Sequence, residues 1–211
     1  NTDANFGTTL AIGTDFVAVG SYGNDDGKGS VIVFNTSQLL VPYNSSFTNY
    51  TGDYLVTAYH KLKPKDHYGS SVVANENTIV IGASGNNGAV YFFKKVNENG
   101  TTWSEFQPRV TITVKGSQFG ASSAITGGVL LIGAPLMKGT GGVFAYKRNQ
   151  YGNWIPQNNN APITGTKTAR NSEFGAHIGV ATLQNKVVAI IGQPGGLFLG
   201  LNEDHAYLFV E

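Results

Sequence analysis

The fold is decided by a stretch that reads FGASSAI at 119–125, VLLIGAP at 129–135 and GVFAY at 142–146. These are three short runs of β-branched, aromatic and small residues, separated by glycine-containing connections. Such runs predict short β-strands joined by tight turns. Because the chain shows no sustained 3.6-residue period, we expect an all-β protein.

The same three-part pattern occurs four times. Its aromatic-glycine starts are Phe6, Tyr68, Phe119 and Phe174, which are spaced 51 to 62 residues apart, the period of a propeller blade. A fourth run follows in the first three units, at 54–62, 103–113 and 154–163. We therefore predict one β-propeller region over 1–211, built of four-stranded antiparallel blades, with repeats at 6–63, 68–114, 119–164 and 174–211. The chain has about four blades, the last incomplete, and could be a segment of a larger ring.

The residue types suit the positions within a blade. Small residues such as Ser70 and Ser122 follow the aromatic-glycine pairs, as expected where inner strands crowd near an axis. The second runs are almost wholly apolar, which predicts strands sandwiched between neighbouring blades. Gly82 and Gly133 end two of these runs, and we expect them to turn the chain with positive φ.

Composition excludes several classes of protein. Charged residues make up 13% of 211, well below the usual ~25%, and 14 basic against 13 acidic residues give a net charge of +1. This balance provides no field for nucleic acid or an anionic membrane. The 41% hydrophobic content excludes a disordered chain, no apolar run is long enough to insert into a bilayer, and there is no cysteine.

The repeats resemble a known family. Phe119-Gly120 followed by Ile-Gly-Ala-Pro at 132–135 is similar to the FG-GAP repeat of integrin alpha-chain propellers. The match is closer to the FG-GAP repeats of large extracellular proteins of bacteria and protists, with the strand at 88–92, the Trp-containing outer strand at 103–105 and Lys-Leu at 61–62. The resemblance implies a non-catalytic binding or adhesion module outside the cell, with a protein or glycan ligand.

Metal binding is not expected. Integrin-type repeats carry a calcium loop between the first and second strands, but here those connections, at 13–15, 75–77, 126–128 and 182–186, are short and poor in carboxylates. The weak candidates Asn24, Asp25 and Asp26 lie in another loop and lack the alternating spacing that directs oxygens to one point. An ordinary Asp-Gly turn is the simpler interpretation, and no cofactor is expected.

No pattern indicates catalysis. The four histidines are scattered, serines recur at equivalent repeat positions, and no nucleophile-elbow or phosphate-loop motif occurs. His177 replaces a Ser or Ala near the axis. Trp103 and Trp154 could stack on sugars in a lectin-like module, but both start an outer strand, which favours a structural role.

Recognition is expected in the loops after the second strands, which differ between repeats. The turn at 135–138 is expected to expose two apolar side chains. The candidate ligand-binding residues are Tyr22, Asn24, Asp25, Asn86, Asn87, Leu136, Met137 and Lys138.

Two further features point outside the cell or to self-assembly. Asn-x-Ser/Thr sequons occur at Asn35, Asn44, Asn49 and Asn99, all expected in exposed connections between third and fourth strands.

The last unit stops after its third strand, so its edge is expected to pair with another chain or with a further part of a longer polypeptide. An alternative function is therefore a structural subunit of a surface coat or filament that binds copies of itself. The edge residues are Ala206, Tyr207, Leu208, Phe209 and Val210.

Overall fold

The computed structural model describes residues 4–36, 54–56, 62–96, 102–165, 171–184, 186–195, 197–198, 201–202 and 205–210. Its sheets are antiparallel, and each lies within one repeat. The first two sheets contain β1 (Phe6–Ile12), β2 (Phe16–Ser21), β3 (Ser30–Asn35), β4 (Tyr54–Val56), β5 (Tyr68–Asn75), β6 (Thr78–Ala83), β7 (Ala89–Lys95) and β8 (Trp103–Val110). The others contain β9 (Ser122–Thr126), β10 (Val129–Gly133), β11 (Val143–Arg148), β12 (Trp154–Pro156), β13 (His177–Leu183), β14 (Lys186–Gln193) and β17 (His205–Val210), with a separate hairpin of β15 (Leu197–Phe198) and β16 (Leu201–Asn202).

Each of the first three sheets has its strands in chain order, from an inner strand to an outer strand. This is the up-and-down order of a propeller blade. We call the sheets that begin with β1, β5, β9 and β13 blades 1 to 4, and the β15–β16 hairpin is a fifth, separate sheet. Blade 4 has the order β13-β14-β17 among the described residues. The short helical turns are α1 (Asn24–Gly27), η1 (Met137–Gly139) and η2 (Asn158–Asn160). The predicted all-β propeller with four-stranded antiparallel blades is confirmed.

The blades stack face to face through their inner strands. Strand β1 contacts β5, β5 contacts β9, and β9 contacts β13. Buried apolar side chains from both blades form one cluster at each of the three interfaces, for example Val33 and Tyr68 in the cluster between blades 1 and 2. The core is therefore a series of layers between sheets, and this layering explains why β6 and β10 are buried along their whole length.

The glycines of the second strands do not have the expected conformation. Positive φ occurs instead at the glycines that follow the aromatic residues, with φ of +86° at Gly7, +91° at Gly69 and Gly120, and +90° at Gly175. Gly82 and Gly133 are needed for a different reason. A Cβ on either one would overlap the carbonyl oxygen of Gly120 or Gly175 of the next blade. The expectation of positive φ at Gly82 and Gly133 is wrong because close approach between blades, and not a turn, requires these glycines.

Hydrogen bonds between inner strands also hold neighbouring blades close together. The hydroxyl groups of Thr9, Ser71 and Ser122 donate to the carbonyl oxygens of Gly69, Gly120 and Gly175 at 2.7, 2.9 and 2.6 Å, respectively. Each bond links one blade to the next. The small hydroxyl side chains of the repeats thus satisfy buried carbonyl groups at the crowded inner edge.

Candidate functional site: a cavity at the loop end of blade 2

The connections between second and third strands lie at one end of the blades, together with the segments that enter each following blade. His67 N–H donates to Gly27 O at 2.8 Å, which joins the β2–β3 loop of blade 1 to the entry of blade 2. Asn171 N–H donates to Gly139 O at 2.6 Å, which makes the matching junction between blades 3 and 4. The loops predicted for recognition therefore share one surface, which we call the loop end.

A cavity of about 820 Å³ opens at the loop end of blade 2. It is formed by the segment that enters the blade, the β6–β7 loop, the start of β7 and the chain from the end of β8 onward. Its polar lining side chains include Lys63, Asp66, Asn86, Asn87, Tyr91, Arg109, Thr111, Thr113 and Lys115. Two of the predicted ligand-binding residues, Asn86 and Asn87, are thus brought into one concave site, the usual form of a small-ligand or side-chain pocket.

The rim of the cavity is held in place by a local network. Asn86 Nδ2 donates to Pro64 O at 3.1 Å and to Asp66 Oδ1 at 2.7 Å. The other carboxylate oxygen of Asp66 accepts the Lys63 N–H at 2.6 Å, and its carbonyl accepts the Gly85 N–H at 2.9 Å. Asn86 has a left-handed φ of 47°, a conformation that asparagine tolerates better than most residues. Asn86 is therefore a positioning residue that joins the two loops.

The floor of the cavity is an aromatic and cationic pair. Arg109 Nη1 donates to the hydroxyl of Tyr91 at 3.1 Å, and its guanidinium carbon lies 5.9 Å from the centre of the Tyr91 ring. Burial raises the pKa of Tyr91, and the hydrogen bond from Arg109 offsets this only in part. Tyr91 remains a neutral phenol that accepts from Arg109, and the guanidinium, which is exposed and lines the cavity, has further N–H donors for a ligand.

Positive charge exceeds negative charge in the lining. Lys63, Arg109 and Lys115 provide three cations, whereas Asp66 provides one carboxylate that the network above already uses. Lys63, Arg109 and Lys115 are solvent-exposed, so they are hydrated and able to pair with an incoming group. An arginine beside two lysines suits a carboxylate or another anionic group, because arginine binds such groups with two parallel hydrogen bonds.

The predicted residues of blade 1 lie elsewhere on the loop end. The ring of Tyr22 contacts His67 edge to face at 5.8 Å. Asn24 donates to Ser30 Oγ at 3.2 Å, and Asp25 pairs with Lys28 at 2.7 Å. Asp25 and Asp26 both have left-handed φ angles, in an ordinary tight turn. Among the described residues, no three His, Asp or Glu side chains come together in a metal-binding group.

In the turn at 135–138, one of the two apolar side chains is exposed and the other is buried. Leu136 is 40% exposed and Lys138 is exposed, but Met137 is 3% exposed. Met137 folds back against Gly142 and joins the core between blades 2 and 3. The expectation that both apolar side chains are exposed is therefore wrong for Met137, since glycine at 142 leaves space that the flexible thioether fills.

The tryptophans serve the core. Trp154 is 2% exposed and packs with blade 3, and Trp103 contacts the ring of Phe16 at 4.7 Å. Trp154 is thus withdrawn from solvent, and Trp103 is half-buried against the cluster between blades 1 and 2. Asn35 ends β3 and is half-buried, whereas the sequons at Asn44, Asn49 and Asn99 lie outside the described residues.

The predicted edge strand is formed. Ala206 to Val210 belong to β17, which pairs with β14, and no described residue pairs with the other side of β17. The start of the described chain lies at blade 1, where Ala4 O accepts from Gly23 N–H and Ser21 Oγ. No helix in the described part of the chain is long and apolar enough to cross a bilayer.

Lys63, Arg109 and Lys115 were not among the residues predicted from the sequence. Arg109 comes near the end of the outer strand β8, Lys63 precedes β5 and Lys115 follows β8, so none of them belongs to the β6–β7 loop in which recognition was expected. The sequence does contain a signal for these cations, since basic residues flank blade 2 on both sides in a chain with few charges. That they line one cavity follows only from the folded blade, which brings the two flanking segments together.

Comparison with known proteins supports the fold. No protein-family model matches the sequence, and no match is found among curated proteins. Among solved structures, the chain is similar to Trypanosoma rangeli sialidase in complex with the inhibitor DANA, with a TM-score of 0.52 and 11% identity over 98% of this chain and 36% of that one. A mutant of the same sialidase displaying trans-sialidase activity gives a TM-score of 0.51, 12% identity and the same coverage. This chain spans about a third of the length of those β-propellers, and at such identities the likeness shows the fold alone.

Proposed function

We propose that this chain is an FG-GAP-type propeller segment that acts outside the cell as a non-catalytic binding or adhesion module, with its ligand site in the cavity at the loop end of blade 2. The observation that carries the proposal is the convergence of Asn86 and Asn87 with three exposed cations in one cavity. Concave polar sites built on loops over a rigid sheet are typical of recognition modules.

The FG-GAP assignment is supported by the roles of the repeated residues. In all four units the glycine after the aromatic residue has a left-handed φ near +90°. In the first three units the glycine of the second strand lies against that residue of the next blade. The two glycines of the motif are thus complementary parts of one interface, which explains why they recur in phase.

A non-catalytic role is supported by how the reactive side chains are used. The hydroxyl groups of Ser71 and Ser122 donate to carbonyl oxygens between blades, so neither is paired with a base. Burial raises the pKa of Tyr91, which disfavours the phenolate that a nucleophile would require, and the hydrogen bond from Arg109 offsets this effect only in part. A ligand held by Arg109 and the lysines would be bound and released unchanged.

The ligand class follows from the charges of the lining. Three cations facing one occupied carboxylate favour a ligand with an acidic group, either an acidic sugar of a glycan or an acidic side chain of a protein. Binding should weaken as salt rises, because the cations are exposed and their attraction is screened.

Biolayer interferometry tests this proposal, with the chain immobilised and two panels in solution. One contains uronate- and sialate-bearing oligosaccharides with their neutral counterparts, and the other contains acidic peptides with their amide counterparts. We expect acidic members to bind and Arg109→Gln to reduce that affinity at least tenfold. The matched control Lys94→Gln removes an exposed cation near the other end of β7, outside the cavity, and should leave the affinity unchanged. Equal loss in both variants, or no preference for acidic members, contradicts the proposal.

A structural subunit is the second candidate. The observation that favours it is the edge of β17, which lacks a strand partner among the described residues. A strand added there by another chain would complete a four-stranded blade 4, and open-ended addition would produce a filament. Electron microscopy of the purified chain at high concentration would reveal such filaments.

A further inference from the structure

The outermost blades each have one apolar face that no described residue covers. We call the side of a blade that points to the following blade its front face, and the opposite side its back face. Leu10 and Ile12 lie on the back face of blade 1, since they pair with Val19 and Val17. They are 63% and 75% exposed. Ile190 and Leu208 pair with each other on the front face of blade 4 and are 56% and 66% exposed.

These faces correspond to faces that are buried elsewhere in the molecule. Phe6 is 55% exposed, whereas its equivalents Tyr68, Phe119 and Phe174 are at most 1% exposed. In the three buried cases the preceding blade covers the ring. Phe6 has the same place in its repeat, and Gly7 after it has the same left-handed φ as the other three glycines. The back face of blade 1 thus has the form of a blade interface without the blade that would cover it.

The front face of blade 4 has the complementary form. Gly20, Gly82 and Gly133 each face the carbonyl oxygen of the aromatic-glycine pair in the next blade. Gly192 is their equivalent in β14, and among the described residues a Cβ built on it would meet only His177, at 3.5 Å. The space beside this glycine, which we call the notch, receives a neighbouring carbonyl group in three blades, whereas no described residue fills it in the fourth.

His177 fits the same scheme. It pairs with Gly192 as Thr9, Ser71 and Ser122 pair with Gly20, Gly82 and Gly133. Those three hydroxyl groups donate to the carbonyl oxygen of the next blade. His177 is exposed, and an imidazole N–H can donate to a carbonyl oxygen in the same way. Blade 4 thus presents a donor beside the notch at Gly192.

We propose that the front face of blade 4 binds the back face of blade 1 of a second copy of this chain, head to tail. Gly7 O of the second copy would enter the notch at Gly192 and accept from His177. Phe6, Leu10 and Ile12 would pack on Ile190 and Leu208. The second copy is the occupant because this chain carries both halves of an interface that it forms three times internally, and because both faces expose apolar side chains.

This contact differs from strand pairing along β17. Strand pairing uses the backbone edge of blade 4, whereas the proposed contact uses the flat faces of two blades, and it does not depend on the ligand cavity. The two surfaces in contact are different parts of the molecule, so the association is heterologous and continues until a ring closes. It predicts that each single-face variant retains one intact half of the interface.

Analytical ultracentrifugation of the whole chain from 1 to 200 µM tests the proposal. We expect a concentration-dependent species heavier than the 22.4 kDa monomer. Leu10→Asp and Ile190→Asp should each weaken self-association at least tenfold, because each places a charge in an apolar face. Both positions are exposed, so both variants should keep the wild-type Tm. Tyr151→Asp alters a residue that is 79% exposed in the β11–β12 connection, away from both faces, and should associate like wild type.

Mixing the two face variants gives the sharpest result. Leu10→Asp keeps an intact blade 4, and Ile190→Asp keeps an intact blade 1, so an equimolar mixture should form a one-to-one complex although neither variant self-associates. A wild-type chain that remains monomeric at 200 µM overturns the proposal, as does a mixture that remains monomeric. Association that survives in both variants also overturns it, because the contact would then use another surface, such as the edge of β17.

Discussion

Strands β6 and β14 occupy the same place in their blades and have similar sequences, TIVIGA and KVVAIIGQ, yet they are buried differently. Every residue of β6 is buried. In β14 the pattern alternates, so that Ala189 and Ile191 are buried while Ile190 between them is exposed. Blades 1 and 3 cover the two faces of β6, whereas only blade 3 covers β14 among the described residues.

The comparison shows that a residue of this fold is buried by the neighbouring blades and not by its own sheet. A blade buries its apolar residues only where a neighbouring blade is present. Residues at equivalent positions therefore contribute unequally to the unfolding free energy in the central and the outer blades. Equivalent substitutions in the central and outer blades should therefore change the unfolding free energy by different amounts.

Removing equivalent aromatic rings should give the largest difference. Phe119→Ala empties a fully buried site between blades 2 and 3, and we expect a loss of about 3–5 kcal/mol of unfolding free energy. Phe6→Ala removes an exposed ring and should cost less than about 1 kcal/mol in a dilute, monomeric sample. Urea denaturation at 1 µM measures both. Equal losses would mean that the blade faces do not differ.

Filling the glycine notches should give the next largest difference. Gly82→Val and Gly133→Val place a side chain against a carbonyl group of the next blade, and we expect each to cost about 1–3 kcal/mol. Among the described residues, Gly192→Val makes only ordinary contact with His177, so its unfolding free energy should stay within about 0.5 kcal/mol of wild type. Chemical denaturation of the three variants, side by side, checks this. A destabilised Gly192→Val would show that the fourth notch is filled.

Hydrogen bonds between inner strands should give a smaller difference. Ser122→Ala leaves the Gly175 carbonyl without its 2.6 Å donor, and we expect a loss of about 1 kcal/mol. His177→Ala removes a side chain that is exposed at the equivalent position and should change stability by less than about 0.5 kcal/mol. Thermal unfolding compares the two. A larger loss of stability for His177→Ala than for Ser122→Ala would contradict the prediction, because His177 would then already make a stabilising contact within one chain.

Alkaline pH should separate a buried tyrosine from an exposed one in blade 3. Burial raises the pKa of Tyr146 from 10.0 to about 12. The unfolded chain therefore loses this proton first, and stability falls as pH rises from 10 towards 12. Tyr146→Phe should make the fall in Tm over this window shallower, whereas Tyr151→Phe, at an exposed site, should not. Identical profiles for both variants would contradict the prediction.

Calcium should have the smallest effect. The connections between first and second strands supply too few oxygen ligands to hold a hard cation. Melting curves recorded with millimolar calcium and with excess chelator should agree to within about 1 °C. A rise of more than about 5 °C with calcium would reveal a site that binds the folded chain, since only preferential binding to the native state raises Tm.

The blade architecture was predictable because two signals agree. The apolar second runs require a cover on both faces, and the aromatic-glycine pairs recur in phase with them. The role of Gly82 was not predictable, because its constraint comes from Gly120, 38 residues later in the chain, and no local pattern shows what lies across an interface. Positive φ was expected at Gly82 and occurs instead at Gly120, because the local sequence does not show which of the two glycines turns the chain and which one lies against the next blade.

The candidate site was predictable only in part. Asn86 and Asn87 stand out because their loop is polar and varies between repeats. Arg109 and Lys63 reach the same cavity from an outer strand and from a connection between repeats, so their convergence depends on the complete blade. Met137 was expected to be exposed because it lies in a loop between strands, but the space beside Gly142 that it fills is a property of the folded loop.

The nearest-neighbour stacking of the blades has a consequence for how the chain folds and opens. When each unit contacts only the units beside it, the free energy of the array approximates a sum of unit and interface contributions, and structure can nucleate in one place and propagate. Blades 2 and 3 have neighbours on both sides, so they form the natural nucleus. Amide hydrogen exchange should be slowest in β6 and β10 and should quicken towards β1 and β14, as the terminal blades fray independently of the centre.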